Sequence, residues 1–352
     1  MKIFITLLLS LMLSTVQAEQ VKPGNYLGAQ TSEIPGWFKE SFLEFEEDVR
    51  EAAAQGRRVM LYFHQAGCPY CARLVEENFT DPATVTYLRQ NFDLIAINMW
   101  GDREVVTVGG RAFTEKNFSE ALKVQYTPTV LFLNEQGKVI LRLNGYYPPA
   151  KFRLALRYAG DKMESKVSFS EYMLAQNKAQ KGELIGEDFF IQSADLASLI
   201  GKDDRPLAVF FEAPACAECQ TTHQKVLSDA ATRALVKQMN NVQINVYSDE
   251  PLIAPDGRRT TQRELARSLG IAYTPSVVFY DKDGAEVHRI EGFLKTFHFQ
   301  SGFDYVLEGA YRTQPNFQRY LSARGERLRE QGFDTDIWGY QSAYPATPVQ
   351  HK

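Results

Sequence analysis

The chain has 352 residues, of which 44% are hydrophobic and 23% are charged, and its formal net charge is −4. This composition is typical of a globular protein, and the length suits about two domains. Because basic residues are not in excess, we expect no binding to nucleic acid or to an anionic membrane surface.

The first residues predict an export signal. After a short positively charged start, residues 3–14 form an apolar run, and Val16 and Ala18 precede a suitable cleavage position before Glu19. The run is short for a membrane span, although an uncleaved anchor is the alternative. We therefore expect residues 1–18 to be a signal peptide and the mature protein to be soluble in a bacterial periplasm, without stable membrane insertion.

Two parts of the chain repeat each other. RRVMLYFHQAGCPYC (57–71) parallels RPLAVFFEAPACAEC (205–219), and residues 97–132 parallel residues 244–279 without a gap. Such self-similarity indicates two copies of one domain. The expected divisions are a leader at 19–35, a first domain at 36–160, a linker at 161–186, a second domain at 187–325 and a C-terminal tail at 326–352, irregular from about Phe333.

Each copy predicts the same order of elements. An amphipathic helix comes first, at 42–54 and 194–200, and a short apolar run at 59–63 or 207–211 then indicates a buried strand. A helix that begins at a CxxC motif, a second strand, a polar insertion and another helix follow. Two more strands and a closing helix complete the copy. This alternation predicts an α/β fold in which helices flank a mixed sheet, built twice in tandem.

The polar insertions at 101–117 and 248–264 leave two interpretations open. Loops of this length often carry function, so they could recognise a partner. Alternatively, each is a surface excursion that packs on its own domain.

The four cysteines form two CxxC pairs, Cys68/Cys71 and Cys216/Cys219. In each pair the first cysteine falls at the start of a predicted helix, where free backbone N–H groups and the helix dipole stabilise an anion. That position lowers the pKa of a thiol and favours the nucleophilic thiolate. We therefore expect Cys68 and Cys216 to be nucleophiles and Cys71 and Cys219 to be resolving thiols.

Three other roles for the cysteine pairs remain open. Each pair could be a fixed structural bond, although so short a loop removes little chain entropy. Both pairs together could bind zinc, although a long stretch of chain separates them. The fold could instead bind proteins without turnover, with Tyr126, Tyr273 and residues 146–149 lining a peptide groove rather than filling the core.

A Thr-Pro dipeptide follows each CxxC motif and opens an apolar strand, where proline cannot donate a ladder hydrogen bond. With the CxxC motif, Thr127-Pro128 and Thr274-Pro275 make each copy resemble thioredoxin-fold proteins. The first copy is similar to exported SoxW-like thioredoxins in GCPYC, YTPTVLFL and LNGYYPP. SoxW-like proteins exchange thiols and disulfides in periplasmic sulfur metabolism.

The resemblance implies that Pro128 and Pro275 are cis and lie beside the CxxC motifs. The backbone at Thr127 and Thr274 is then expected to bind an extended substrate. The implied activity is thiol–disulfide exchange with protein dithiols or disulfides and with a partner that recharges the cysteines. The cysteines carry the electrons, so no metal or organic cofactor is expected.

The chain departs from cytoplasmic thioredoxins near the cysteines. Tyr62 and Phe210 stand where those proteins carry an acidic residue that manages a proton. His64 and Glu212, at the ends of the same strands, are candidates to replace it as proton acceptors, or else they are surface residues that cap the strand. His223 is interpreted as a residue on the face of a helix.

The residues between the cysteines predict different redox tuning. Pro69-Tyr70 resembles the dipeptide of glutaredoxins, whereas the second motif contains Glu218. A neighbouring carboxylate disfavours a thiolate, which destabilises the dithiol relative to the disulfide. We therefore expect the second pair to have the lower potential, and electrons that pass between the copies to run from Cys216/Cys219 to Cys68/Cys71.

Overall fold

The computed structural model describes residues 21–176 and 182–342. The expected signal peptide lies outside the described residues, as do the first two residues of the leader, the middle of the linker and the end of the tail. Within the described part of the chain, no helix is both long enough and apolar enough to span a bilayer.

The first repeat has one four-stranded mixed sheet. A short strand, β1 (Tyr26–Leu27), precedes it. The elements of the repeat are α1 (Phe45–Ala54), β2 (Arg58–His64), α2 (Pro69–Asn78), α3 (Pro82–Asn91), β3 (Phe92–Asn98), β4 (Glu104–Val106), β5 (Ala112–Thr114), α4 (Glu115–Ala121), β6 (Thr129–Leu133), β7 (Val139–Asn144) and α5 (Pro149–Gly160). The sheet has the order β3-β2-β6-β7, with β2 parallel to β3 and antiparallel to β6, and with β6 antiparallel to β7.

The second repeat has the same architecture. A helix between the repeats, α6 (Phe169–Gln176), comes before it. Its elements are β8 (Leu207–Glu212), α7 (Ala217–Thr221), α8 (Ala230–Val236), β9 (Asn240–Asn245), β10 (Pro251–Ile253), β11 (Arg259–Thr261), α9 (Gln262–Ser268), β12 (Ser276–Tyr280), β13 (Glu286–Glu291) and α10 (Thr296–Leu307). The sheet order is β9-β8-β12-β13, with β8 and β9 parallel. The predicted tandem α/β fold is confirmed.

The two repeats share a hydrophobic core. The central strands β2 and β8 are buried over almost their whole length, as continuous apolar strands are in sheets covered on both faces. One face of each sheet packs against elements of its own repeat, which makes two separate clusters. The opposite faces join a single larger cluster that contains side chains of both repeats. The repeats are therefore packed against each other rather than joined only by the linker.

The polar insertions fold as β-hairpins, β4–β5 and β10–β11. Their middle residues Val105 and Leu252 are 0% and 5% exposed and belong to the core cluster of their own repeat. These contacts favour the interpretation of the insertions as surface excursions that pack on their own domain.

The helix predicted at 194–200 is wrong. Only a single 3-10 turn, Ala197–Leu199, forms there. The Ser193 hydroxyl accepts a hydrogen bond from the Asp195 N–H, and the Leu196 N–H donates to the carbonyl of Ile253 in β10. Local side-chain bonds and the attachment to the hairpin therefore replace the helical hydrogen bonds.

The C-terminal region is more regular than expected. Helix α11 (Phe317–Glu330) crosses the predicted boundary between residues 325 and 326, because charged residues with high helix propensity extend it until Gly332 adopts a positive φ. Strand β14 (Thr335–Asp336) then pairs in parallel with β1. This pairing also gives part of the leader a regular structure.

Candidate functional site

Each CxxC pair forms a disulfide at the start of a helix. Cys68 is the N-cap of α2, and Pro69 occupies the first helical position, where a missing N–H costs nothing. The Cys71 N–H points at Cys68 Sγ at 3.0 Å, and the Cys219 N–H points at Cys216 Sγ at 3.1 Å. In the reduced protein these donors would stabilise a thiolate on the first cysteine.

Both Thr-Pro dipeptides lie next to the first cysteine of their repeat. The Thr127–Pro128 and Thr274–Pro275 peptide bonds are cis, the geometry that the resemblance implied. Cys68 Sγ lies 3.5 Å from the carbonyl oxygen of Thr127, and Cys216 Sγ lies 3.5 Å from that of Thr274. The loop that opens the third main strand of each sheet therefore meets the CxxC motif.

No group of three or more His, Cys, Asp or Glu side chains is arranged to hold a metal ion in residues 21–176 and 182–342. Each sulfur pair closes within its own repeat.

The two sites differ in exposure. Cys68 is 5% exposed, and Pro69, Tyr70 and Thr127 are buried as well. The second site is more open, because its partly exposed residues include Cys216, Glu218 and Thr274, and Ala217 is exposed. An incoming protein therefore has more room at the second site.

The second repeat and the C-terminal segment cover the first site. The Tyr70 hydroxyl accepts a hydrogen bond of 2.8 Å from the Lys295 N–H, at the start of α10. The ring of His298 lies 5.1 Å from that of Tyr70, and the ring of Trp338 lies 4.9 Å from it. Cys68 borders a cavity of about 140 Å³ that these elements close on one side.

Side chains from both repeats also form hydrogen bonds next to the first Thr-Pro loop. The Gln65 amide donates to the Thr127 hydroxyl and to the side-chain oxygen of Gln318, each at 2.8 Å. Gln318 belongs to α11, so the C-terminal helix contacts the site through an amide pair.

The central pair of residues in the second site meets the first repeat. Lys151, on α5, places its Nζ 3.2 Å from Glu218 Oε1 and 3.4 Å from the carbonyl oxygen of Thr274. The same Nζ lies 3.8 Å from the centre of the Tyr273 ring. Glu218 is therefore not the unopposed negative charge that the sequence suggested.

Glu212 and His223 form a buried acid–imidazole pair. His223 Nε2 lies 3.1 Å from both carboxylate oxygens of Glu212, and its Nδ1 lies 3.0 Å from Glu187. Burial alone would lower the pKa of His223, but its hydrogen bonds to the two carboxylates raise it above the usual value. Gln243 donates to Glu212 at 2.8 Å. His223 does lie in a helical turn, Thr222–Val226, but that face of the turn is buried rather than exposed.

One signal in the sequence could have identified His223. It stands four residues after Cys219, and residues with that spacing lie on the same face of a helix.

The interpretation of Glu212 as a strand-capping surface residue is wrong, because Glu212 is 1% exposed.

His64 occupies the position in the first repeat that corresponds to Glu212. Its ring stacks on Tyr62, with a centroid distance of 5.4 Å. Burial lowers the pKa of His64, so the neutral, proton-accepting form is favoured. Burial also raises the pKa of Tyr62, whose hydroxyl has no hydrogen-bond partner among the described residues.

The aromatic residues considered for a peptide groove are core residues. Tyr126, Tyr273, Tyr146 and Tyr147 are all buried. They lie in the cluster that joins the repeats, where Tyr147 packs edge-to-face on Tyr273.

Comparison with known proteins gives a consistent family match. A family model described as a thioredoxin-like domain matches residues 45–160 and 193–307. Among curated proteins, the chain is similar to the thiol:disulfide interchange protein DsbD of Pectobacterium atrosepticum, with 26% identity over 110 residues. That match covers 31% of this chain and only 18% of the length of DsbD.

Three solved structures illustrate the similarity in fold. A thioredoxin-fold protein from Helicobacter pylori is 23% identical, with a TM-score of 0.31, and the match covers 34% of this chain and 80% of that one. A thioredoxin from Thermus thermophilus is 28% identical, with a TM-score of 0.27 and coverages of 32% and 81%. The C-terminal domain of Neisseria meningitidis DsbD in its oxidised form is 17% identical, with a TM-score of 0.25 and coverages of 32% and 89%.

Proposed function

Because the chain belongs to the thioredoxin-like domain family, we propose that it is an exported thiol:disulfide oxidoreductase that exchanges disulfides with partner proteins. One observation carries the proposal: in each repeat the first cysteine caps a helix and its Sγ lies against the carbonyl that precedes a cis proline. A helix N-terminus favours the thiolate, and the adjacent backbone offers hydrogen bonds to an extended substrate.

The proposed exchange starts from a reduced CxxC pair. The thiolate of the first cysteine attacks one sulfur of the partner's disulfide, a new S–S bond forms, and the partner's other sulfur leaves as a thiolate and takes up a proton. The second cysteine passes its proton to a nearby acceptor and attacks the Sγ of the first, which releases the partner's remaining sulfur. The partner gains two electrons and two protons, and a dithiol protein must then reduce the CxxC pair again.

In this proposal Cys216 is the nucleophile that meets protein substrates, and Cys219 is the resolving thiol. The partial exposure of Cys216 and Thr274 supports this assignment, because a substrate backbone can approach the Thr274-Pro275 loop. Glu212, joined to His223, is the proposed proton acceptor.

The first pair keeps the corresponding roles in the proposal, with Cys68 as nucleophile and Cys71 as resolving thiol. His64 is its proposed proton acceptor, and the Thr127-Pro128 loop is its substrate-binding backbone. Because the second repeat covers this pair, we propose that it reacts more slowly with large substrates than the second pair does.

The proposed location is a bacterial periplasm, after removal of residues 1–18. The substrates are protein disulfides, in general protein reduction or in sulfur metabolism. N-terminal sequencing of protein from a periplasmic extract tests the location, and a first residue of Glu19 is the expected result.

Reduction of insulin disulfides by the pre-reduced protein tests the activity. Cys216→Ser is expected to remove most of the activity, whereas Cys219→Ser should accumulate a mixed disulfide between Cys216 and insulin. Cys68→Ser should have a smaller effect. Activity that survives replacement of all four cysteines would contradict the proposal.

A protein-binding module without turnover is the second candidate. The burial of Cys68 and of the neighbouring Thr127 favours it for the first repeat. Under that function, a partner would bind equally well to the wild type and to a variant with both first-site cysteines replaced by serine, and the two proteins would reduce insulin at the same rate.

A further inference from the structure

We propose that Lys151 of the first repeat is an electrostatic tuning residue of the second redox centre, which stabilises the Cys216 thiolate across the boundary between the repeats. This inference rests on the proposed function. It assigns a role in the chemistry of the second cysteine pair to a residue of the first repeat. The interaction links the packing of the two repeats to the chemistry of one of them.

The position of the Lys151 ammonium carries the inference. It lies 3.2 Å from Glu218, within the CxxC motif, and 3.4 Å from the carbonyl oxygen of Thr274. Cys216 Sγ lies 3.5 Å from that same oxygen. The positive charge is therefore closer to the sulfur than one Debye length, which is about 8 Å at physiological ionic strength, so salt screens the attraction only in part.

Burial distinguishes this contact from an ordinary surface ion pair. The side chains of Lys151 and Glu218 are only 20% and 26% exposed. Exposed pairs contribute about 0–1 kcal/mol, because water screens them and both side chains lose rotamer entropy. Here the Tyr273 ring covers the ammonium at 3.8 Å. Because this packing already restricts the rotamers of Lys151, the ion pair itself costs less additional side-chain entropy.

Several titratable and charged groups face this corner of the molecule. Glu218 faces the ammonium from the second repeat, and Tyr273 faces it from the loop before the cis proline. Arg73, on α2, lies over the Tyr146 ring and acts electrostatically on Tyr273. Burial lowers the pKa of Lys151 and Glu218 partly restores it, so the ammonium loses its proton at a lower pH than an exposed lysine does.

The internal duplication provides a comparison within the same molecule. Lys151 is the third residue of α5, and His298 is the third residue of α10, the corresponding helix. His298 packs on Tyr70, which occupies the place of Glu218 in the first CxxC motif. In each repeat, therefore, the side chain at this helix position contacts the CxxC motif of the other repeat. At this position only the second site has a cation beside it, because burial lowers the pKa of His298 to about 4 and its ring is neutral at pH 7.

The contact changes the expected effect of Glu218. Alone, its carboxylate would destabilise a Cys216 thiolate and lower the potential of the second pair. With Lys151 beside it, the net charge close to the sulfur is near zero, so the thiolate is formed more easily. Removal of the lysine should restore the effect of the unopposed carboxylate.

The test uses the full chain with Cys68→Ser and Cys71→Ser, so that only the second pair reports. Lys151→Met is expected to shift the equilibrium with the glutathione couple about tenfold toward the disulfide, which is about 30 mV for this two-electron couple. The midpoint of Cys216 thiolate absorbance at 240 nm should move to higher pH. Lys151→Arg should restore both values, because it keeps the charge.

Arg153→Met is the matched control. Arg153 lies on the same helix, loses the same charge in this substitution, and faces Asp81 rather than the second site. Its equilibrium with glutathione and its thiolate midpoint should equal those of the parent protein. A second variant, Glu218→Gln with Lys151→Met, removes both charges, so its glutathione equilibrium and thiolate midpoint should also be close to those of the parent protein.

Two results would overturn the inference. One is the same glutathione equilibrium and thiolate midpoint for Lys151→Met and Arg153→Met. The other is a Lys151→Arg protein whose equilibrium and midpoint match those of Lys151→Met. Failure of the proposed function has a different signature. In that case the Cys216–Cys219 bond would not exchange with glutathione in the parent protein itself.

Discussion

At the scale of single residues, the second repeat buries an acid–imidazole pair near the end of its central strand. Glu212 is enclosed at the end of β8, and His223 reaches it from the helix that follows Cys219. A buried carboxylate is costly unless it is paired and hydrogen-bonded. His223 and Gln243 supply those partners.

This pair predicts a pH-dependent stability. The pKa of His223 is raised in the folded protein, so its stabilising contribution is fully present below the unfolded value of about 6.5 and is lost as the pH rises through the folded pKa. The loss amounts to about 1.4 kcal/mol for each unit by which the pKa is raised. Urea unfolding between pH 6 and pH 9 should show this decline in the wild type.

His223→Gln provides the comparison for that measurement. The variant cannot lose a proton at this position, so its stability should change less between pH 6 and pH 9. His64, His288 and His298 also have lowered pKa values in the folded protein, so their unfolded forms add a pH dependence near pH 6.5, but it is the same in both proteins and cancels in the comparison. Parallel curves for the wild type and the variant would contradict the charged pair.

At the scale of elements, the segment after α11 covers Tyr70 of the first site. Strand β14 ties the segment to β1, and Trp338 then packs against Tyr70. The Lys295 ammonium lies 3.7 Å from the Trp338 ring and donates to the Trp338 carbonyl at 2.6 Å. Both contacts hold the segment against the start of α10.

Removal of the Trp338 ring should open the first site. In Trp338→Ala we expect the Cys68–Cys71 disulfide to be reduced several-fold faster by dithiothreitol, because the cover over Tyr70 loses its largest contact. The rate can be followed by alkylation of the released thiols and mass spectrometry, which identifies each pair separately.

Trp37→Ala is the matched control for that prediction. Trp37 packs on Phe38 and Phe79 in the first repeat. The Trp37→Ala variant should leave the reduction rate of the first cysteine pair unchanged. In both Trp37→Ala and Trp338→Ala, the second pair should be reduced at the wild-type rate. A Trp338→Ala rate no faster than the wild-type rate would show that the segment does not limit access.

At the scale of the whole molecule, polar contacts across the shared core fix how the repeats pack. The Tyr126 hydroxyl donates to the carbonyl of Arg289 at 2.6 Å and lies 2.8 Å from His288 Nε2. Since the hydroxyl proton goes to the carbonyl, the neutral His288 must donate its own Nε2 proton to the Tyr126 oxygen. One hydroxyl of the first repeat thus satisfies two buried groups of the second.

Loss of this hydroxyl should weaken the whole protein. Tyr126→Phe removes one donor from the part-buried Arg289 carbonyl and the acceptor of the buried His288 N–H, at a cost of about 1–3 kcal/mol for each group left unsatisfied. Tyr62→Phe is the control, because its buried hydroxyl has no partner among residues 21–176 and 182–342 and the second repeat carries Phe210 there. Equal unfolding free energies for the two variants would contradict the interpretation.

Much of the fold was predictable because its signals are local. The apolar runs of β2 and β8, the CxxC motifs at helix starts and the Thr-Pro dipeptides each depend on a few consecutive residues. The helix expected at 194–200 was wrong because its backbone bonds to β10, a segment far along the chain. Helical periodicity does not register such a partner.

The sequence by itself determined the duplication, the tandem α/β fold and the position of four sulfurs at two helix starts, since all of these follow from short patterns that occur twice. Only the tertiary structure decided that Tyr70 is covered, that Glu218 has Lys151 as its partner, and that His223 is enclosed. The reason is physical: exposure and pairing depend on which surfaces meet when the repeats pack, and those surfaces come from residues that are distant in the chain.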